Sequence, residues 1–189
     1  MPSIKSKLKG KPIHSRSLDL KTYPVDDGKV IIEGWLKDDR FVQTFDLLGR
    51  KKDKGLVHHM AVRLLVGNVP LTILDAESEM LHVPHELCHT TKESIKKVIG
   101  MEIKTGFSDE VRRVIGGIEG CAHLTHLVIV LGQEAVHGYW TNTGSRPRTG
   151  QDPQEKAKSL SFAIDSCSIW REGGPLVHEL EERIKSLNK

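Results

Sequence analysis

The sequence predicts an α+β fold in which an antiparallel sheet, built mainly from the N-terminal half, packs against helices from the C-terminal half. Three observations point there. Apolar and β-branched residues cluster in short runs between residues 29 and 80, separated by turn residues. Beyond residue 85 the apolar spacing changes to that of helices. Strands come first and helices afterwards, without the strand–helix–strand alternation of a parallel sheet.

The chain has 189 residues, 38% apolar and only 5% aromatic, enough for one domain with a mainly aliphatic core. Residues 1–12 read as a basic flexible tail, with lysine at every second position from Lys5 to Lys11, and 13–189 as a single domain. Asp26-Asp27-Gly28 is a turn that leads into a strand at 29–36, KVIIEGWL. A second strand is expected in 40–48, RFVQTFDLL, followed by a charged loop over 47–55. Residues 57–67 and 70–80 flank Gly67-Asn68-Val69 as an antiparallel hairpin.

Helices are expected over 85–100, ending at a glycine, and over 108–117, where Ser108 can cap the start. A longer one should run from Cys121 to about Val136, because Leu124, Leu127, Val128, Leu131 and Ala135 share one face. Residues 139–156 read as a mobile loop, being polar and carrying Gly and Pro. The chain then closes with a strand through Cys167, a Gly-Gly-Pro turn and a short charged helix.

Lys and Arg number 28 against 25 Asp and Glu, and part of that excess lies in the first sixteen residues. The remainder is close to neutral, which argues against a nucleic-acid partner. No apolar run reaches the ~18–20 residues that cross a bilayer, so no membrane association is expected. The three cysteines, 88, 121 and 167, are odd in number and far apart. With no signal-like N-terminus they read as reduced thiols in a cytoplasmic protein. The aliphatic core is compatible with a homodimer and does not require one.

The chemistry-bearing stretch is GIEGCAHLTHL, 117–127, where glycines lead to Cys121 and His123 at the start of an apolar helix. A thiolate is favoured at that positive end of the macrodipole, and zinc and iron both accept thiolate and imidazole ligands. The opposing reading is a small packed cysteine beside a hydrogen-bonded histidine. His58 and His59 point to opposite faces of the first hairpin strand, so only one of them faces inward. Cys88, after the hairpin, and Cys167, near the end, complete a set drawn from distant segments: His59, Cys88, Cys121, His123 and Cys167 for a metal, or Cys121, His123 and His59 for catalysis. His82, His85 and His89 are assigned mostly to the surface, since Pro84 prevents one helix through all three. Walker, GxGxxG, GxSxG, HExxH and CxxC motifs are absent.

The segments YPVDDGKVIIEGWLKD, GLVHHMAVRLLV, LTILDAESEMLHVPHELC, GGIEGCAHLTHLV and DSCSIW resemble, in that order, the bacterial family catalogued as domain of unknown function 2889. The resemblance spans about residues 13–178 and supports the choice of Cys88, Cys121, His123 and Cys167. Members usually carry Glu where this chain has His126, which implies no shared role for His126. At fold level the order of elements also resembles NifU-like iron–sulfur scaffold proteins, with His58-His59 at the hairpin, Cys88 after it and Cys121 with His123 opening the long helix. The departures are a missing hairpin cysteine and Cys-Ala-His in place of His-Cys.

The leading expectation is a small metal- or thiol-dependent enzyme acting on a small organic catabolic intermediate, by lyase or hydrolytic chemistry, with zinc or iron as the implied metal. The alternatives are a non-catalytic metal or iron–sulfur scaffold or carrier, and a ligand-binding or interaction module with structural cysteines.

Overall fold

A computed structural model describes residues 3–145 and 163–187. It shows an antiparallel four-stranded sheet from the N-terminal half, covered on one face by helices from the C-terminal half. Along the chain come β1 (His14–Pro24), β2 (Val30–Arg40), β3 (Thr44–Phe45), β4 (Lys51–Lys52), β5 (Gly55–Gly67) and β6 (Thr72–His82). A segment of 3₁₀ turns (Glu86–Val98) precedes α1 (Phe107–Ile115), α2 (Ala122–Gly144) and α3 (Pro175–Leu187). The large sheet has the order β1-β2-β5-β6, and β3 pairs with β4 apart from it.

Strict alternation fixes which side chains face the helices. In β2, Val30, Ile32 and Leu36 are wholly buried, and in β5 so are Val62, Leu64 and Val66, with Met60 nearly so. Successive strand residues point to opposite faces, so these even-numbered positions form one apolar surface. Antiparallel register sets them side by side: Leu18 opposite Leu36 opposite Met60, and Thr22 opposite Ile32 opposite Leu64. The odd-numbered face carries Trp35, with the Arg63 guanidinium 5.7 Å from its ring centre and Arg63 bonded to Glu33, Glu77 and Glu79.

The long helix α2 lies against the even-numbered face through Leu124, Leu127, Val128, Leu131 and Ala135, all fully buried. Two glycines permit its close approach. A Cβ on Gly132 would lie 2.2 Å from the Phe107 ring, and one on Gly138 2.2 Å from Thr22 Oγ1. The first lets α1 nest on α2, and the second lets the end of α2 reach β1.

Several elements differ from the sequence expectation. β1 was not anticipated, because its exposed, mixed-polarity positions give only a weak alternation. Strand structure over 40–48 shrinks to Arg40, the end of β2, and Thr44–Phe45, after which the chain turns through Asp46–Gly49. The segment 86–98 is wound as 3₁₀ rather than α-helix. Its hydroxyls bond carbonyls three residues back, Thr90 to Leu87, Thr91 to Cys88 and Ser94 to Thr91, which favours the tighter winding. The N-cap of α1 is Gly106 at φ 85°, not Ser108. Residues 139–144 continue α2 instead of opening a loop; most of the loop expected over 139–156 lies outside the described residues. Residues 164–173 form turns and bends, so Cys167 is not on a strand.

Replacing Gly132 with Ala should cost about 1–3 kcal/mol by overpacking against Phe107. Urea unfolding of both proteins measures it, and unchanged stability would show that α1 and α2 do not pack at this distance.

Candidate functional site

The apolar columns of the sheet end in a polar row. One register step beyond Leu18, Leu36 and Met60, the same face carries Arg16, Asp38 and His58, directly opposite one another on β1, β2 and β5. An irregularity in the β2–β5 ladder follows at Asp38/Asp39 and ends the regular pairing there. Asp38 is 2% exposed, one of the few buried polar residues.

Its carboxylate is met from both sides. Arg16 donates from Nε to Oδ1 at 2.6 Å and from Nη2 to Oδ2 at 2.7 Å. His58 Nδ1 lies 2.9 Å from Oδ2. Burial opposes ionisation of Asp38, yet the hydrogen bonds from Arg16 and His58 outweigh it and hold the carboxyl below its usual range. The same pairing raises the Arg16 pKa. His14, half exposed two residues along the same strand face, places Nε2 3.9 Å from Oδ1.

The start of α2 closes the row from above. Cys121 is its N-cap residue in extended conformation, with no side-chain capping bond. Thr125, buried, donates its hydroxyl to the carbonyls of Ile115 and Cys121, which ties the end of α1 to the start of α2. Gly120 fits against Ser94 and the Ile115 carbonyl, where a Cβ would come within 2.7 Å of each. Held this way, His123 puts its ring 3.9 Å from that of His58, centre to centre, and its Nε2 3.7 Å from Asp38 Oδ2. On the other side of the ring, Nδ1 is 3.9 Å from Cys121 Sγ.

Burial lowers the His123 pKa to about 4; the nearby His58 and Arg16 push the same way, and Asp38 opposes them. His123 is therefore neutral near pH 7 and keeps a nitrogen lone pair for a ligand. Asp38, His58 and His123 each offer one donor atom, and those atoms lie within 4.8 Å of one another. This buried or half-buried cluster could hold a metal ion. Tetrahedral ligands at ~2.0–2.1 Å from an ion stand about 3.3 Å apart; the two separations from Asp38 Oδ2, 2.9 and 3.7 Å, lie close to that, and the two imidazole donor atoms are within 4.8 Å of each other.

The residues singled out from the sequence are divided by this arrangement. Cys121 and His123 are together, and His123 joins the cluster. His59 projects to the opposite face of β5, with its ring 4.9 Å from that of Trp35. Among the described residues, neither Cys88 nor Cys167 belongs to any group of three or more metal-ligating side chains, and Cys167 is exposed. Asp38, Arg16 and His58 went unselected. Their signal was parity: in β2 and β5 each occupies, or in β1 sits opposite, the next position of an otherwise apolar face.

A model of the family described as protein of unknown function (DUF2889) matches residues 14–137, from the first residue of β1 into α2. The chain belongs to the DUF2889 family. The match takes in every residue of the cluster and leaves out Cys167. No curated protein and no solved structure matches the chain. The resemblance to NifU-like scaffolds receives no support from these comparisons. No helix among the described residues is long and apolar enough to cross a membrane.

Asp38→Asn should destabilise the fold by about 1.5–3 kcal/mol, the range for hydrogen bonds to charged groups, with Asp38→Glu also destabilising because its carboxylate is displaced. Equal stability of all three proteins in urea would contradict the pairing. A second expectation concerns pH. Because the folded His123 pKa is about 4 and its ordinary value 6.5, the unfolded chain takes up this proton first as pH falls. Stability is thus lost between pH 6.5 and 4. His123→Asn should make the melting temperature less dependent on pH across that window; an unchanged slope would show that His123 is not held neutral.

Proposed function

We propose that the chain is a small metal-dependent enzyme acting on a small organic molecule, with Asp38, His58 and His123 holding one zinc or ferrous ion. The observation that supports this most directly is the convergence of one carboxylate and two imidazoles from two strands and a helix start. Two imidazoles and a carboxylate suit zinc or ferrous iron better than calcium or magnesium, which prefer all-oxygen sites. An ion bound there would supply Lewis acidity or an activated water, which suits lyase or hydrolytic chemistry.

The chain's own residues have defined tasks in this reading. Asp38 offers negative charge that Arg16 keeps ionised and aimed. His58 would offer the ion a ring nitrogen; Nδ1, which faces Asp38, can do so in the neutral tautomer that carries its proton on Nε2. Cys121 stands behind His123: a hydrogen bond between Sγ and Nδ1 sets the tautomer and turns Nε2 towards Asp38. Cys121 is a positioning residue here, not a ligand.

A second reading makes Cys121 a nucleophile with His123 as its base, and the 3.9 Å separation of Sγ and Nδ1 favours it. The low basicity of His123 weighs against it, since a base with a pKa of about 4 takes a thiol proton poorly. The scaffold alternative has less support, because no group of three or more ligating side chains among the described residues contains a cysteine.

The test is elemental analysis of protein prepared anaerobically without a metal-affinity tag, for the wild type, His58→Ala and His59→Ala. About one equivalent of zinc or iron is expected in the wild type and in His59→Ala, falling at least tenfold in His58→Ala. Metal retained in His58→Ala, or none in the wild type, would overturn the proposal.

A further inference from the structure

We infer that the substrate is a small carboxylate, and that Arg16 receives it. The inference rests on the metal-centre reading above for where the carboxylate leads, but its own observation is the state of the Arg16 guanidinium. That group has two edges able to grip a planar oxyanion. Asp38 takes the side edge, Nε and Nη2, through two bonds of 2.6 and 2.7 Å. The end edge, Nη1 with the second hydrogen of Nη2, remains, and Nη1 has no hydrogen-bond partner among the described residues. Asp38 is buried to 3% side-chain exposure while Arg16 is 39% exposed, so the guanidinium stands between the buried carboxylate and solvent.

An arginine anchored in this way is pre-organised. Its planar fork is already oriented, and a second carboxylate can dock in the guanidinium plane without ordering a long side chain. A freely moving surface arginine would have to lose that freedom on binding. His14, two residues away on the same face and half exposed, lies instead on the occupied side, its Nε2 3.9 Å from the Asp38 Oδ1 that Arg16 Nε holds, and leaves the end edge to the ligand.

Charge at the cluster points the same way. Asp38 is the only carboxylate among its three ligating residues, and Arg16 already balances it. A divalent ion held there leaves an excess of positive charge, which an anionic ligand offsets. A molecule with a carboxylate on Arg16 and an oxygen towards Asp38, His58 and His123 satisfies both demands. Inorganic phosphate shares the oxyanion chemistry and is the alternative source.

Isothermal titration of the full chain with malonate tests this, using zinc-loaded and zinc-free wild type and Arg16→Lys. Lysine keeps a positive charge beside Asp38 but lacks the second edge. The zinc-loaded wild type should bind malonate, and Arg16→Lys with zinc retained should bind it at least tenfold more weakly. Zinc-free wild type should bind less tightly than the loaded form but with the same dependence on Arg16, so loss of the metal reading leaves this arm intact. If Arg16→Lys releases zinc, the zinc-free pair carries the comparison. Equal malonate affinity in wild type and Arg16→Lys, or no binding by the wild type in either form, would overturn the inference. So would phosphate binding more tightly than malonate in an Arg16-dependent manner, which would reassign the anion.

Discussion

A carboxylate almost wholly removed from water, Asp38, sets the terms for this end of the molecule. A charge in that position is costly unless it is paired and its lone pairs are hydrogen-bonded. The sheet supplies the pairing laterally, because antiparallel register puts Arg16 and His58 on the two neighbouring strands directly opposite it. Each partner is thereby fixed by backbone hydrogen bonding well beyond the site. The start of α2 covers the row, and its own placement depends on Thr125, Gly120 and the buried face from Leu124 to Ala135. The apolar core and the polar row are therefore one construction: the same alternation that buries Leu36 buries Asp38 two residues later.

That construction separates two histidines that adjoin in sequence. His58 shares the helix-facing side with Asp38, and His59 shares the other side with Trp35. It also separates the two nitrogens of His123, one turned to Asp38 and one to Cys121. The thiol at the helix start thus lies against the imidazole ring on the side away from Asp38. A cysteine placed two residues from a histidine, across an N-cap, can hold that ring without converging on the same point.

Much of the fold was legible because burial and period coincide. The hairpin of β5 and β6, the strand after Asp26-Asp27-Gly28 and the apolar face of α2 all rest on residues whose spacing matches their burial. β1 was not legible, since an edge strand with few buried residues leaves little pattern. In the site, Cys121 and His123 stood out because glycines and a helix start mark them. Asp38 stood out less, because KDDR reads as a polar strand end; only its parity with Val30, Ile32 and Leu36 sets it apart from Asp39. Arg16 was hidden among the basic residues of the N-terminal segment. Pairing across strands, which no local pattern contains, is what brings Arg16, Asp38 and His58 together.

The most direct test of this ligand set is X-ray absorption at the zinc edge on the zinc-loaded protein. Ligation by Asp38, His58 and His123 predicts a shell of nitrogen and oxygen only, at ~2.0–2.1 Å, with the outer-shell scattering of two imidazole rings. A sulfur scatterer near ~2.3 Å would contradict it, placing a cysteine at the ion and removing Asp38, His58 and His123 as the complete protein ligand set.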